Sequence, residues 1–164
     1  MKRLYLVRHS KSSWKNPGLT DFDRPLNKRG KRDAPFMGAL LMERGVFPDI
    51  ILSSPAKRAL RSAKIIAEEI EYPLEEIVTL PELYMASAHE LLDLIRYLDD
   101  VYAEVMLFGH NPGFTDLANF LTEYDVDNIP TSGVFCVDFD VLSWGEVSEG
   151  SGKVAFFDYP KKFR

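Results

Sequence analysis

The chain has 164 residues, of which 46% are hydrophobic and 27% charged, so it is most simply a single domain over residues 1–164 with a buried core. Its formal net charge of −5 argues against a nucleic-acid-binding surface and requires any anion site to be a local cationic pocket. No apolar run approaches the roughly 20 residues of a membrane span, the run after Arg3 is too short for a signal peptide, and a cytoplasmic protein is expected.

The first half of the chain alternates predicted strands and helices. In order, these are strand Leu4–Val7, a polar loop Trp14–Leu26, helix Lys28–Arg44 and strand Asp49–Ser53. Pro35 is expected to kink the first helix or to mark its true first turn. Ser54 followed by Pro55 predicts the N-cap and first position of a second helix, which runs to about Ile70.

The second half continues the alternation and ends in two strands. The predicted elements are a short strand Ile77–Leu80, a helix ending near Tyr102, strand Glu104–Phe108, a helix ending near Leu121, and strands Val134–Val141 and Val154–Phe157. Ser87 and Glu90 have the spacing of a capping box, and Asn111-Pro112 repeats the N-cap signal. The pattern predicts a three-layer α/β/α sandwich whose mostly parallel sheet has an antiparallel edge.

Cationic and imidazole side chains follow three of the predicted strands. Arg8-His9 follows the first strand and His110 the Glu104–Phe108 strand, while Arg58 lies just after the Asp49–Ser53 strand. The carboxyl ends of parallel strands share one edge, where open α/β sheets bind ligands. No acidic residue lies beside Arg8 or Arg58 in the sequence to form an ion pair with it, so we expect a phosphoryl-binding pocket. Periodicity alone does not choose Arg58 over Arg61.

A catalytic metal is the rival use for the histidines. The chain has only three, without the i, i+4 spacing of a metal site, and its single cysteine, Cys136, lies in an apolar strand. His89 is expected to be exposed in the first turn of its helix. The sequence therefore predicts neither a metal site nor a cofactor.

Three segments together resemble the histidine phosphatase superfamily, which has the phosphoglycerate-mutase-like fold. They are Leu6–His9, Ser54–Ala59 and Phe108–Pro112, in that order. Asp23–Gly30 and Leu80–Tyr84 further resemble the small SixA-type phosphohistidine phosphatases. The resemblance covers most of the chain.

The resemblance implies roles for four side chains. His9 would attack phosphorus and become phosphorylated, Arg8 and Arg58 would hold the phosphoryl oxygens, and His110 would donate to an oxygen that gains charge. For attack, His9 must be neutral at one ring nitrogen while a backbone carbonyl holds the other. His110 would work best when protonated.

Other candidates lie close to these motifs. Glu82 or Asp21 could protonate a leaving oxygen, although either could equally be a solvated carboxylate. Ser10, where the family commonly has glycine, is a candidate for substrate binding together with Asp21, Arg24 and Asn111.

The resemblance implies a metal-independent phosphatase with a phosphohistidine intermediate. The segment between Arg58 and His110 is too short for a large cap insertion, so we expect an open site that accepts phosphohistidine in a partner protein. The alternatives are a phosphatase of a small phosphoester, or a mutase, and a non-catalytic phosphoprotein binder. The oligomeric state stays open.

Overall fold

The computed structural model describes residues 1–164 and contains a six-stranded mixed sheet. The main elements are β1 (Lys2–Arg8), α1 (Lys28–Glu43), β2 (Ile50–Ser53), α2 (Lys57–Glu69), β3 (Val78–Thr79), α3 (Ala88–Arg96), β4 (Glu104–Gly109), α4 (Gly113–Leu121), β5 (Val134–Phe139) and β6 (Gly152–Asp158). The strand order is β3-β2-β4-β1-β5-β6. The first four strands are parallel, and β5 and β6 form the predicted antiparallel edge.

Helices cover both faces of the sheet, as the predicted three-layer sandwich requires. Leu4 and Leu6 of β1 belong to a core cluster with α3 and α4, whereas Tyr5 and Val7 belong to a second cluster with α1 and α2. Successive side chains of a strand point to opposite faces, so a strand covered on both sides is apolar throughout. No helix combines the length and apolar character needed to cross a membrane.

Two helices begin later than the sequence predicts. The backbone of Ala56 is still extended, and α2 begins after it, so Ser54 accepts a hydrogen bond from the Ala56 N–H (3.2 Å) without capping the helix. Likewise α4 begins at Gly113, and the Asn111 side chain accepts a hydrogen bond from the Thr115 N–H (3.2 Å). In both cases the polar residue and proline form a turn before the helix.

The structure excludes one alternative for Pro35 and corrects the end of another helix. Pro35 lies inside α1, so of the two alternatives it does not mark the first turn. The capping box of Ser87 and Glu90 is present, but α3 ends well before Tyr102. Beyond its end, the Asp99 side chain accepts a hydrogen bond from the Val101 N–H (2.9 Å), a local turn that competes with helical bonding.

The start of α1 holds the loop that follows β1. Asn27 caps the helix by accepting a hydrogen bond from the Gly30 N–H (2.8 Å), and its own N–H donates to the Lys11 carbonyl (2.9 Å). Gly30 lies so close to Lys11 that a Cβ atom there would collide with the Lys11 carbonyl oxygen. Glycine is therefore needed where α1 meets this loop.

We expect Gly30→Ala to lower the free energy of unfolding by about 1–3 kcal/mol, because the added methyl group must displace backbone atoms. Denaturant unfolding measures the loss. The matched control is Gly18→Ala, whose Cβ would meet only the movable Asn16 side chain, at 3.2 Å. Equal stability of the two variants would show that the contact at Gly30 is not restrictive.

Candidate active site

The carboxyl ends of β1, β2 and β4 lie side by side and bring distant residues together. Arg8 ends β1 in register with Gly109 at the end of β4, and the His9 N–H donates to the Gly109 carbonyl (3.1 Å). The rings of His9 and His110 consequently lie with their centroids 5.3 Å apart. The predicted convergence at one edge of the sheet is present.

These side chains surround a cavity of about 230 Å³, which we call the active-site cavity. It is lined by Arg8, His9, Lys11, Ser12, Trp14, Asp21, Arg24, Arg58, Met85, His110, Asn111 and Thr131.

The imidazole of His9 is oriented by a backbone carbonyl. Its Nδ1 lies 2.7 Å from the Ser10 carbonyl oxygen, and an oxygen of that kind can only accept, so Nδ1 carries the proton. Its Nε2 accepts from Nε–H of Arg58 at 3.4 Å. Burial lowers the pKa of His9 to about 3, and the charges of His110 and the arginines act in the same direction. His9 is therefore neutral, and its Nε2 is unprotonated and faces the Nε–H of Arg58.

His110 is oriented by a serine from the end of β2. Its Nε2 lies 2.7 Å from Ser54 Oγ, and its Nδ1 lies 3.4 Å from Nη2 of Arg58. Arginine can only donate, so Nδ1 is unprotonated and Nε2 donates to Ser54. Burial, reinforced by the charge of Arg58, lowers the pKa of His110 to about 4. The protein groups together thus favour neutral His110, although the charge of Asp21 acts in the opposite direction. A nearby phosphate dianion would add to the effect of Asp21 and favour the protonated form expected from the sequence.

Arg58 has an acidic partner, contrary to the expectation from the sequence. Its side chain is buried, and it donates from Nη1 to the Asp21 carbonyl (2.6 Å) and from Nη2 to Asp21 Oδ2 (2.9 Å). Asp21 is remote in sequence, so only the folded loop before α1 creates this pair. Arg61, the alternative from periodicity, is exposed and lies outside the cavity lining.

Arg8 lacks such a partner. Its Nη1 donates to the Ile129 carbonyl (3.0 Å), while its buried Nε has no hydrogen-bond partner. Burial and the charge of Arg58 lower the pKa of Arg8. An unpaired donor on a buried cation is costly, and an anion bound in the cavity would relieve that cost.

Asp21 is the centre of a network that crosses the cavity rim. It accepts hydrogen bonds from the Tyr84 hydroxyl (2.7 Å) and from Arg24 (2.9 Å) as well as from Arg58. The Tyr84 hydrogen bond, together with the two arginines, holds the pKa of Asp21 well below its usual range. The Tyr84 ring also packs edge-on against His110, with centroids 5.4 Å apart.

The remaining predicted site residues have different placements. Ser10 is not in the lining, because its hydroxyl bonds to Ser132 Oγ at 2.5 Å. Asn111 and Arg24 do line the cavity, and Asn111 donates to the Ile129 carbonyl (3.0 Å). Glu82 lies in the lining of a separate cavity and does not meet His9.

Several residues that line or adjoin the active-site cavity have no role predicted from the sequence. Lys11, Ser12 and Trp14 closely follow His9 along the chain, which was a usable signal. No signal in the sequence points to Thr131, because it reaches this edge only through the antiparallel pairing of β5 with β1. Tyr84 lies within a recognised segment, but its contact with Asp21 requires the folded chain.

Two other candidates lie away from the site. The His89 side chain is 84% exposed beside Asp93, and Cys136 is buried in β5. No group of three or more His, Cys, Asp or Glu side chains is arranged to hold a metal ion.

Comparison with known proteins identifies a matching family and a related protein. The family model of the histidine phosphatase superfamily (branch 1) matches residues 4–99. An uncharacterised chloroplastic protein of Arabidopsis thaliana is 33% identical over 159 residues, which are 92% of this chain and 72% of that protein.

Solved structures are similar over nearly the whole chain. The protein assigned as phosphohistidine phosphatase SixA from Agrobacterium tumefaciens is 30% identical, with a TM-score of 0.83 over 97% of this chain and 98% of its own. The protein histidine phosphatase SixA complexed with tungstate also has a TM-score of 0.83, over 99% of both chains. At 21% identity, that second likeness is one of fold.

The lowered pKa values of His9 and His110 predict that the free energy of unfolding decreases as the pH is lowered. Between pH 6.5 and about 4, the unfolded chain binds protons that the folded histidines exclude, so acidification favours unfolding. At pH 5 the loss relative to pH 7 is up to about 2 kcal/mol for each histidine.

Denaturant unfolding at pH 7 and pH 5 measures this loss. We expect a smaller loss in His9→Gln/His110→Gln than in the wild type, whereas His89→Gln, which changes an exposed side chain, should behave like the wild type. The same pH dependence in all three proteins would contradict the lowered pKa values.

Proposed function

The chain belongs to the histidine phosphatase superfamily, and from this premise we propose that it is a metal-independent phosphatase that removes phosphate from phosphohistidine in a partner protein. One observation carries the proposal: the unprotonated Nε2 of a neutral, buried His9 lies among two arginines and a second histidine. Guanidinium and imidazole groups would supply the charge stabilisation that metal ions give in other phosphatases.

In the first step, His9 Nε2 attacks the phosphorus atom of the substrate. A new N–P bond forms while the bond from phosphorus to the substrate imidazole breaks, and the electron pair of that bond leaves with the imidazole, which is protonated from water. The Ser10 carbonyl keeps the His9 ring in the required tautomer. Arg8 and Arg58 would neutralise the equatorial oxygens as charge spreads over them.

In the second step, water attacks the phosphorus atom of phosphorylated His9. The oxygen of water bonds to phosphorus, the N–P bond breaks with its electron pair returning to Nε2, and inorganic phosphate leaves. The proton that the water releases balances the proton taken up by the substrate imidazole in the first step, and the neutral imidazole of His9 is restored. His110 would be protonated in the presence of the phosphate dianion and would donate from Nδ1, the nitrogen that faces Arg58. Ser54 holds the other nitrogen and fixes the direction of that donor.

The states and positions of Asp21 and Glu82, the two candidate general acids, favour phosphohistidine over a phosphate ester as the substrate. An alkoxide leaving group needs a proton from a nearby acid, but the Asp21 carboxyl is held ionised by Tyr84 and two arginines. Glu82 lies in a different cavity. The P–N bond of phosphohistidine is a high-energy bond whose leaving group needs less help. Asp21 is thus better suited to positioning Arg58 than to donating a proton.

We expect His9→Ala to lower kcat at least about a thousandfold, since it removes the attacking atom and not merely a contact. Mass spectrometry after rapid acid-free quenching should locate phosphate on His9 of the wild type. His89→Ala, which changes an exposed histidine, is the matched control, and all assays are run with and without EDTA. Near wild-type turnover by His9→Ala would exclude the mechanism, and activity lost in EDTA and restored by a divalent ion would exclude metal independence.

The substrate class can be tested by kcat/KM for a phosphohistidine peptide, an aryl phosphate and an alkyl phosphate. We expect that order of decreasing kcat/KM, because leaving groups that need more protonation are expelled more slowly without an acid. Asp21→Asn should slow all three classes by similar factors, because it loosens Arg58, and Glu82→Gln should leave them unchanged. A selective loss of alkyl phosphate cleavage in either amide variant would identify a general acid, and a clear preference for one sugar or glycerate phosphate would replace phosphohistidine as the substrate.

A further inference from the structure

A second cavity lies beside the active-site cavity, and we call it the basic cavity. Its volume is about 560 Å³, and it is lined by Ser13, Lys15, Pro25, Leu26, Asn27, Lys28, Arg29 and Lys31. Four of these side chains are cationic and none is acidic. Such a concentration of positive charge is unexpected on a protein whose formal net charge is −5.

Most of this charge is not balanced within the protein. Lys15, Lys28 and Lys31 are exposed and form no salt bridge, and only Arg29 approaches a carboxylate, that of Asp33 at 3.5 Å. The first turn of α1 carries three of the four cations and no acidic residue, although the helix dipole disfavours cations there. Local helix stability therefore does not account for them.

A thin wall separates the basic cavity from the active-site cavity. Ser12 pairs with Leu26 in an isolated antiparallel bridge between the two segments of this wall. Ser12 and Trp14 line the active-site cavity, whereas Ser13 and Lys15 line the basic cavity. Each residue of an extended polypeptide spans about 3.3 Å. A substrate segment of a few residues could therefore reach from one cavity to the other.

We propose that the basic cavity binds an acidic segment of the substrate protein, next to the phosphohistidine that enters the active-site cavity. This inference rests on the proposed function and adds a recognition element to it. The exposed lysines form a broad cationic surface, unlike the partly buried Arg8 and the buried Arg58, which line one small cavity and suit a single phosphoryl group. Charge spread in this way complements several carboxylates along a chain better than one compact anion.

Two phosphohistidine peptides test the proposal. They share one sequence, except that the residues on both sides of the phosphohistidine are glutamates in one peptide and glutamines in the other. In the wild type at low salt we expect kcat/KM to be about tenfold higher for the glutamate peptide, and added salt should reduce this ratio because exposed charges are screened.

The ratio of the two kcat/KM values is compared between matched variants, so that a general loss of activity cancels. Lys15→Gln/Lys28→Gln/Lys31→Gln should bring the ratio close to one. The control Lys64→Gln/Lys153→Gln/Lys161→Gln removes the same charge from exposed residues outside both cavities and should keep the ratio of the wild type.

Three outcomes would overturn the inference. Equal kcat/KM for both peptides in the wild type would do so while leaving the proposed function intact, and so would an unchanged ratio in the variant of the basic cavity. If that variant instead lost activity only toward a small bisphosphate, the cavity would be a second phosphate site. Failure of the wild type to hydrolyse either peptide, with aryl phosphate still cleaved, would overturn the proposed phosphohistidine substrate itself.

Discussion

The guanidinium groups of the partly buried Arg8 and the buried Arg58 lie at one edge of the sheet, and the positive charge of Arg58 disfavours the charged form of Arg8. Like charges repel strongly where the effective dielectric constant is low. Asp21 offsets the charge of Arg58, whereas Arg8 has only a backbone carbonyl and keeps one buried N–H without an acceptor. The unbalanced positive charge at this edge of the sheet would favour the binding of an anion in the cavity.

The same cations act together with burial to favour the neutral form of His9, the proposed nucleophile. Burial and the neighbouring charges disfavour a proton on His9, so its Nε2 electron pair is available, and the Ser10 carbonyl prevents the ring from taking the other tautomer. His110 has a parallel arrangement through Ser54. In the proposed function, one electrostatic environment would set both phosphate binding and the protonation state of His9, and the two strand ends that carry these groups are fixed by the hydrogen bonds of the sheet.

The proposed catalytic groups and the proposed recognition surface lie in different parts of the fold. The groups that would contact phosphate lie on α2 and at the ends of β1 and β4, two strands that are covered on both faces. The segment between β1 and α1 contributes Trp14, whose side chain is 73% exposed and stacks on Arg24 at 3.5 Å, as well as Asp21 and the wall of the basic cavity. Substrate choice can thus change in this segment without disturbing the strand ends.

The sequence by itself determined the α/β class, the parallel strands and the meeting of His9 with His110, because each short apolar run has to be a buried strand and parallel strands share an edge. Helical periodicity alone did not choose Arg58 over Arg61, although the motif resemblance did. The sequence could not place the starts of α2 and α4 or show that Asp21 pairs with Arg58. Those features depend on contacts between residues far apart in the chain, such as the hydrogen bond from Tyr84 to Asp21. Local patterns record which face of an element is buried, whereas the partner of a loop carboxylate is decided only when the loops pack together.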